Sequence, residues 1–336
     1  MREIGNYLKI ICRKENGTYC TETVMKYIET LREGERINEV YLCKFKQTAL
    51  TKSGKPYGNL ILQDKTGTLD AKIWEPTSAG IDDFEAMDYI AVMGDVTCFQ
   101  GNLQLSIKRA RKVGEGEYEP SDYLPVSEYD IDGMFKELMG LIHSVKNPYL
   151  NKLLHTFFGN EKFQKKFKSH SAAKNVHHAF VGGLLEHTLS VTRNCDFFAK
   201  NYPILNRDLL LTAAMFHDIG KLAELSTFPL NDYTDVGQLL GHIVIGCEWV
   251  SEEIKKIEGF PVVLAHELKH CIIAHHGELE FGSPKKPALI EAWALSFADN
   301  LDAKMETMKE ILSGVETLEW QGFNRFLDTN FRKTSS

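Results

Sequence analysis

Between residues 34 and 113 the chain alternates apolar and polar side chains, whereas beyond residue 130 its apolar side chains recur every three to four positions. Side chains alternate across a strand and return every 3.6 residues on a helix, so one type of secondary structure cannot satisfy both stretches. The chain must fold as a strand-rich part followed by a helical part. In the first part Leu69, Ala71 and Ile73 alternate with Asp70, Lys72 and Trp74, and Leu103, Leu105 and Ile107 with Gln104, Ser106 and Lys108. Turn chemistry at Ser53-Gly54-Lys55-Pro56, Asp64-Lys65-Thr66-Gly67 and Gln100-Gly101-Asn102 separates the runs. Short strands at this spacing predict a small antiparallel sandwich or barrel.

Residues 114–130 carry Glu115, Glu117, Glu119, Asp122, Glu128 and Asp130, two prolines, and neither Lys nor Arg. That composition predicts a solvated linker. Beyond it, helices are expected near 182–200, 208–217, 237–257, 261–275 and 287–312. The first places Leu184, His187, Thr188, Val191, Cys195 and Phe198 on one stripe. The expected organisation is an extension over 1–33, a barrel over 34–113, a linker over 114–130, a helical domain over 131–315 and a tail over 316–336.

Seven cysteines (Cys12, Cys20, Cys43, Cys98, Cys195, Cys247 and Cys271) are scattered, odd in number and without a C-x-x-C pair. They predict reduced thiols in a cytoplasmic protein. The apolar run 209–216 is too short to span a bilayer, and the first residues lack the pattern of a secretory signal. A net charge of -7 does not advertise a nucleic-acid binder, although a local basic patch or a bound metal can supply what the whole chain lacks.

All 12 histidines lie beyond the acidic stretch. His187 belongs to the stripe already described, and His217 follows Leu210, Ala213 and Ala214, with Asp218 next. His242 falls in the row Leu239, Ile243, Gly246, Val250; His275 extends Leu264, Leu268, Cys271, Ile272; Asp299 extends Ala292, Leu295, Ser296. Singly, each histidine reads as a core residue satisfied by a neighbour, and Asp299 as a buried cap or ion-pair partner. Together, several helices aiming imidazoles and carboxylates inward point to a shared divalent metal, the usual way an all-helical scaffold builds such a site. A His/Asp set without thiolates suits Mn, Fe, Co, Ni or Zn.

The order His187, His217-Asp218, His242, His275-His276, Asp299 resembles the HD superfamily of phosphohydrolases in its two-metal variant, and His217-Asp218-Ile219-Gly220-Lys221 is similar to its central signature. The resemblance implies that His187, His217, Asp218 and Asp299 hold one ion and His242, His275 and His276 the second, with Asp218 bridging. A strand-rich, OB-like module before an all-α HD domain that contains the stretch from Val176 through His177, His178 and Gly183 to Thr188 resembles the YhaM family of bacterial 3′–5′ exoribonucleases. The resemblance covers roughly 34–312. It implies two divalent ions, manganese first among the candidates, and single-stranded RNA as the substrate, with single-stranded DNA and a homo-oligomeric state left open.

Two such ions would supply a water acidic enough to attack phosphorus in line with the leaving oxygen. Asp218 and Lys221 are the candidate catalytic residues, Lys221 as a phosphate contact or simply as a surface lysine. His177 and His178 are candidates for a substrate or a structural role. OB-type barrels hold single strands by stacking and a basic groove. Lys72, Trp74 and Lys108 point outward by parity, and Lys46, Lys55 and Tyr57, with Lys44 and Lys52, surround the first turn; ordinary solvated strand faces carry the same residues. Lys162, Lys165, Lys166 and Lys168 form a second basic run that reads equally as a solvated face.

His266-Glu267-Leu268-Lys269-His270 matches the H-E-x-x-H zinc-protease pattern, but on a helical wheel the pair faces away from the row that carries His275. Two other readings compete. One keeps the HD site and assigns a cyclic dinucleotide or other small nucleotide, prompted by His275-His276-Gly277-Glu278, although the Gly-Tyr-Pro that accompanies such a stretch is missing after Gly282-Ser283-Pro284. The other is a nucleic-acid-binding adaptor with a structural helical half.

Overall fold

The alternating runs become strands because each buries one complete face. In a computed structural model, which describes residues 10–13, 19–22, 25–51, 53–114, 116–174, 178–313, 315–324 and 327–335, the chain divides into two units, Met1–Leu124 and Pro125–Ser336. His177, Lys52 and Glu115 lie outside the described residues.

In the first unit, β1 (Ile10–Arg13) pairs with β2 (Tyr19–Glu22). Five longer strands, β3 (Arg36–Leu50), β4 (Pro56–Asp64), β5 (Gly67–Ile73), β6 (Tyr89–Phe99) and β7 (Asn102–Lys112), close into a barrel in the order β3-β4-β5-β7-β6. That closed, five-stranded, crossed-over order is the OB-like architecture. The sheet is not wholly antiparallel as expected: β5 and β7 run parallel, Ala71 opposite Leu105, because the crossover places them side by side in the same direction. Leu60, Leu62, Leu69, Ala71, Ile90, Val92 and Leu105 fill the interior. Gly94 marks the bulge where β6 crosses β7, and a Cβ there would lie 2.4 Å from the Ser106 carbonyl oxygen.

The expected boundaries shift. Ile28 and Leu31 enter the barrel core, and Asp64 accepts a hydrogen bond from the Ile28 amide, so part of the expected extension belongs to the barrel. Nor is residues 114–130 simply a solvated linker. Tyr118 stacks on Tyr89 at 3.8 Å and Tyr123 packs edge-on at 5.2 Å, because aromatic side chains among the acids find an apolar surface to cover. At the other end, the Ser127 amide bonds to the Val181 carbonyl.

The second unit is built from α1 (Ile131–His143), α2 (Pro148–Phe158), α3 (Glu161–Ser169), α4 (Gly183–Asn201), α5 (Arg207–Phe216), α6 (Lys221–Glu224), α7 (Asp235–Lys256), α8 (Val262–Ile273) and α9 (Ile290–Ser313). Side chains of Asp130, Asn147, Asn160, Asn206 and Thr234 accept backbone N–H bonds at the starts of five of them, as N-caps do. Helices α4 and α5 carry the core through Leu184, Leu185, Val191, Cys195, Leu210 and Met215. Near its end, β8 (Phe323–Asn324) pairs with β9 (Thr329–Asn330), so the expected tail is partly ordered. Among the described residues, no helix is long and apolar enough to cross a membrane.

Candidate metal centre

The seven clustered side chains come from five places in the second unit. His187 sits in α4, four residues past its start. His217 and Asp218 lie in the turn between α5 and α6, and His275 and His276 in the turn that follows α8. Asp299 projects from α9. His242 follows Gly241, whose backbone (φ 72°, ψ 159°) interrupts α7 in a region open in practice only to glycine. The interruption corrects one expectation: Leu239 does not share a buried row with His242 but is 82% exposed, because the helical register does not run through the kink.

These groups converge on Asp218. Its Oδ2 lies 3.3 Å from Nε2 of both His187 and His217, and its Oδ1 lies 3.4 Å from His242 Nε2 and 3.7 Å from His275 Nε2. Asp299 Oδ1 is 3.2 Å from His187 Nε2 and 3.8 Å from His217 Nε2. Among the described residues three potential ligand groups result: His187 with His217 and Asp218, His242 with His275 and His276, and His178 with His187 and Asp302.

All five imidazoles are oriented by what their other nitrogen touches. Nδ1–H donates to the Ala214 carbonyl from His217, to the Ile272 carbonyl from His275 and to the Phe281 carbonyl from His276. His187 donates from Nδ1 to Asp302 at 2.7 Å, and His242 to Glu224 at 2.9 Å. An Nδ1–H fixed in this way leaves a lone pair on Nε2, the arrangement that metal-binding histidines use. Asp218 Oδ1, His242 Nε2 and His275 Nε2 are buried without a hydrogen-bond partner. Buried acceptors left without a donor are costly, and three of them aimed at one another fit a cation between them.

Around an ionised Asp218 the electrostatics separate His275, whose surroundings favour the neutral ring, from His187, whose carboxylate neighbours favour the charged one. Burial, then the neighbouring His276 and His217, push the His275 pKa well below its ordinary value. Burial opposes the charge on Asp218, but Lys221 and His217 outweigh it and hold the carboxyl well below the usual range. For His187, burial is likewise outweighed by the bonds to Asp218, Asp299 and Asp302, and its pKa rises well above the ordinary value. Lys221 Nζ is 2.7 Å from Asp218 Oδ2. A cavity of about 460 Å³ opens onto the cluster, lined among others by His187, Asp218, Lys221, His276, Phe281 and Asp299.

Sequence reasoning missed Asp302 and Glu224, the carboxylates behind His187 and His242. Asp302 follows Asp299 by three residues, one helical turn, which was a usable signal. It also accepts from His178 Nε2 at 3.0 Å, so the buried His178 supports the ligand shell. The H-E-x-x-H pair does not form a site: His266 is exposed and His270 Nε2 accepts the Ala288 amide at 2.8 Å.

On the barrel, the predicted nucleic-acid residues separate into groups. Tyr57, Lys72 and Trp74 share a groove of about 460 Å³ with Phe99, which sequence reasoning did not single out. Tyr57 and Trp74 rings lie 5.4 Å apart, and the Lys72 ammonium, bonded to Asn59, sits 5.4 Å from the Tyr57 ring. Lys55 is exposed on the turn before Tyr57. Lys46 instead bonds to the Phe84 carbonyl beside Asp82 and Asp83, and Lys108 pairs with Asp95. In the second basic run, Lys168 pairs with Asp132.

The family model described as HD domain matches residues 184–304, which takes in every clustered residue; the helical unit contains an HD domain. The 3′–5′ exoribonuclease YhaM of Geobacillus sp. (strain WCH70) is 34% identical over 290 residues, covering 85% of this chain and 88% of that protein. YhaM of Bacillus subtilis (strain 168) is 35% identical over 290 residues, covering 85% and 91%. The second OB-fold domain of replication protein A from Methanococcus maripaludis aligns over 29% of this chain and 100% of its own, at 19% identity and a TM-score of 0.22. The chain belongs to the YhaM 3′–5′ exoribonuclease family.

Proposed function

We propose that this protein is a metal-dependent 3′–5′ exoribonuclease acting on single-stranded RNA in the cytoplasm. The observation that carries the reading is the convergence of the unpartnered Asp218 Oδ1, His242 Nε2 and His275 Nε2 on one buried point. In this reading His187, His217, Asp218 and Asp299 hold one divalent ion, His242, His275 and His276 hold a second, and Asp218 serves both. When bound, the ions supply a water acidic enough to act as a nucleophile near neutral pH. Manganese is the first candidate for both.

The chain's own residues do the rest. Asp302 and Glu224 keep the His187 and His242 rings turned so that Nε2 faces inward. Lys221, on the cavity wall, sets its ammonium against Asp218 and offers positive charge to a phosphate oxygen entering there. On the barrel, Tyr57, Trp74 and Phe99 provide aromatic faces for bases, with Lys72 and Lys55 beside them.

The test is hydrolysis of a 5′-labelled single-stranded RNA by the full chain with added manganese. A descending ladder is expected, and Asp218→Ala should abolish it while RNA binding persists. Intact RNA, under conditions where a generic phosphodiester is cleaved, would move the substrate to a small nucleotide.

A further inference from the structure

The cavity over the metal cluster grades from charged to aromatic. Its deep residues His187, Asp218, Lys221 and Asp299 are all at least four-fifths buried, whereas Phe281, on the same cavity, is 63% exposed. An exposed phenylalanine by itself is unremarkable on a protein surface. This one is held in a defined place. It ends a short turn, Leu279–Phe281, closed by Gly282 at φ 88°, and its carbonyl oxygen accepts the Nδ1–H of His276 at 2.8 Å. Ser283 next to the turn ties it to the Ile273 carbonyl at 3.0 Å. The backbone that carries the ring is thereby fixed beside the histidine–aspartate cluster.

Another wall of the cavity comes from α9. Asn300, Ala303 and Lys304 line it together with Asp299, as residues one helical turn apart must. Ala303 contributes only a methyl group and so leaves space. Among the described residues, the Asn300 and Lys304 side chains make no hydrogen bond or ion pair to protein. A nucleotide at a strand end presents a charged phosphate and an aromatic base joined by a short sugar. The cavity offers both complements in a volume of about 460 Å³, in the lower part of the range for small-ligand pockets.

We propose that Phe281 is the stacking platform for the 3′-terminal base of the strand and that Lys304 takes a phosphate of the same strand end. The inference rests on the exoribonuclease reading above. Stacking requires an unpaired base and tolerates any of the four, because every base has a π-face. The terminal nucleotide would therefore be gripped without regard to sequence, and a paired end would be refused.

The experiment compares two single-stranded RNAs that differ only at the 3′-terminal residue, which carries its base in one and is an abasic ribose in the other. Wild-type kcat/KM should fall about tenfold on the abasic strand, within the roughly five- to hundredfold that a stacked base is worth. Phe281→Ala should lose a similar factor on the complete strand, mainly in KM, cease to distinguish the two ends, and keep its metal content. Phe281→Trp should restore the distinction. A wild-type enzyme indifferent to the terminal base would overturn the proposal, as would a Phe281→Ala variant that still discriminates like wild type. A wild type that shortens neither strand would sink the exoribonuclease reading itself, an outcome plainly different from a failure of Phe281 alone.

Discussion

Asp302 gathers three hydrogen bonds on one carboxylate, from His187 Nδ1, His178 Nε2 and the Ser190 hydroxyl. The two histidines outweigh burial and hold its carboxyl well below the usual range. Asp302→Asn keeps the shape, removes the charge and turns one acceptor into an NH₂ donor facing N–H groups. His187 would lose its fixed tautomer, and metal affinity should drop about 10- to 100-fold, as such outer partners usually command. Activity measured against free manganese checks this: the curve should shift to higher concentration and recover most of kcat at saturation. An unshifted curve would reduce Asp302 to a structural role. Sequence reading found the residues that cluster around Asp218 but not this one. The clustered histidines stood out because they fall in apolar rows, whereas single acids such as Asp302 and Glu224 read on a helix as ordinary solvated residues. Only the tertiary approach of His187 and His242 gives them a task.

At the scale of elements, the cluster depends on how closely α6 approaches α7. Gly220 has an ordinary helical backbone (φ −63°), so backbone conformation does not demand glycine there. Space does: a Cβ at Gly220 would lie 2.0 Å from the His242 carbonyl oxygen and 2.8 Å from the Gly246 amide nitrogen. Both are backbone atoms and cannot rotate aside. Gly220→Ala should push the kinked half of α7 outward, costing about 1–3 kcal/mol as overpacking does, and carry His242 away from Asp218. Chemical denaturation together with metal content per chain would show it, as a lower midpoint and less bound metal; an unchanged midpoint would mean that the two helices separate freely. Five of the helices, α4, α5, α7, α8 and α9, were legible in the sequence, whereas α1, α2, α3 and α6 were not placed individually. The boundaries of α4 and α5 follow the expected ones within a residue or so because their apolar stripes are complete. What was not legible is the break at Gly241, since the repeat of apolar residues around it continues as though the helix were straight. The parallel β5–β7 pair was equally hidden, because alternation records which face is buried and not which way a neighbouring strand runs.

At the scale of the whole molecule, a net charge of -7 is an unpromising property for a protein that must hold RNA, because phosphate contacts reward positive charge. On the reading proposed above, the barrel groove would resolve the conflict by relying less on charge than on rings: Tyr57, Trp74 and Phe99 beside Lys72. Stacking is worth about 1–3 kcal/mol per base whatever the net charge. If the barrel holds the strand while the HD domain cleaves it, the two tasks should separate by substrate length. Joining both on one chain raises the effective concentration of the strand end near the metals only for substrates long enough to engage both. Tyr57→Ala with Trp74→Ala should therefore raise KM on a long single-stranded RNA by about tenfold or more. Hydrolysis of a dinucleotide, too short to engage both, should be unchanged. Steady-state kinetics on the two substrates, at fixed salt and manganese, give the comparison directly. Equal losses on both would mean that the groove supports the fold and not the strand. No loss on either would move strand capture to the helical unit, where Phe281 and Lys304 would then have to hold the substrate unaided.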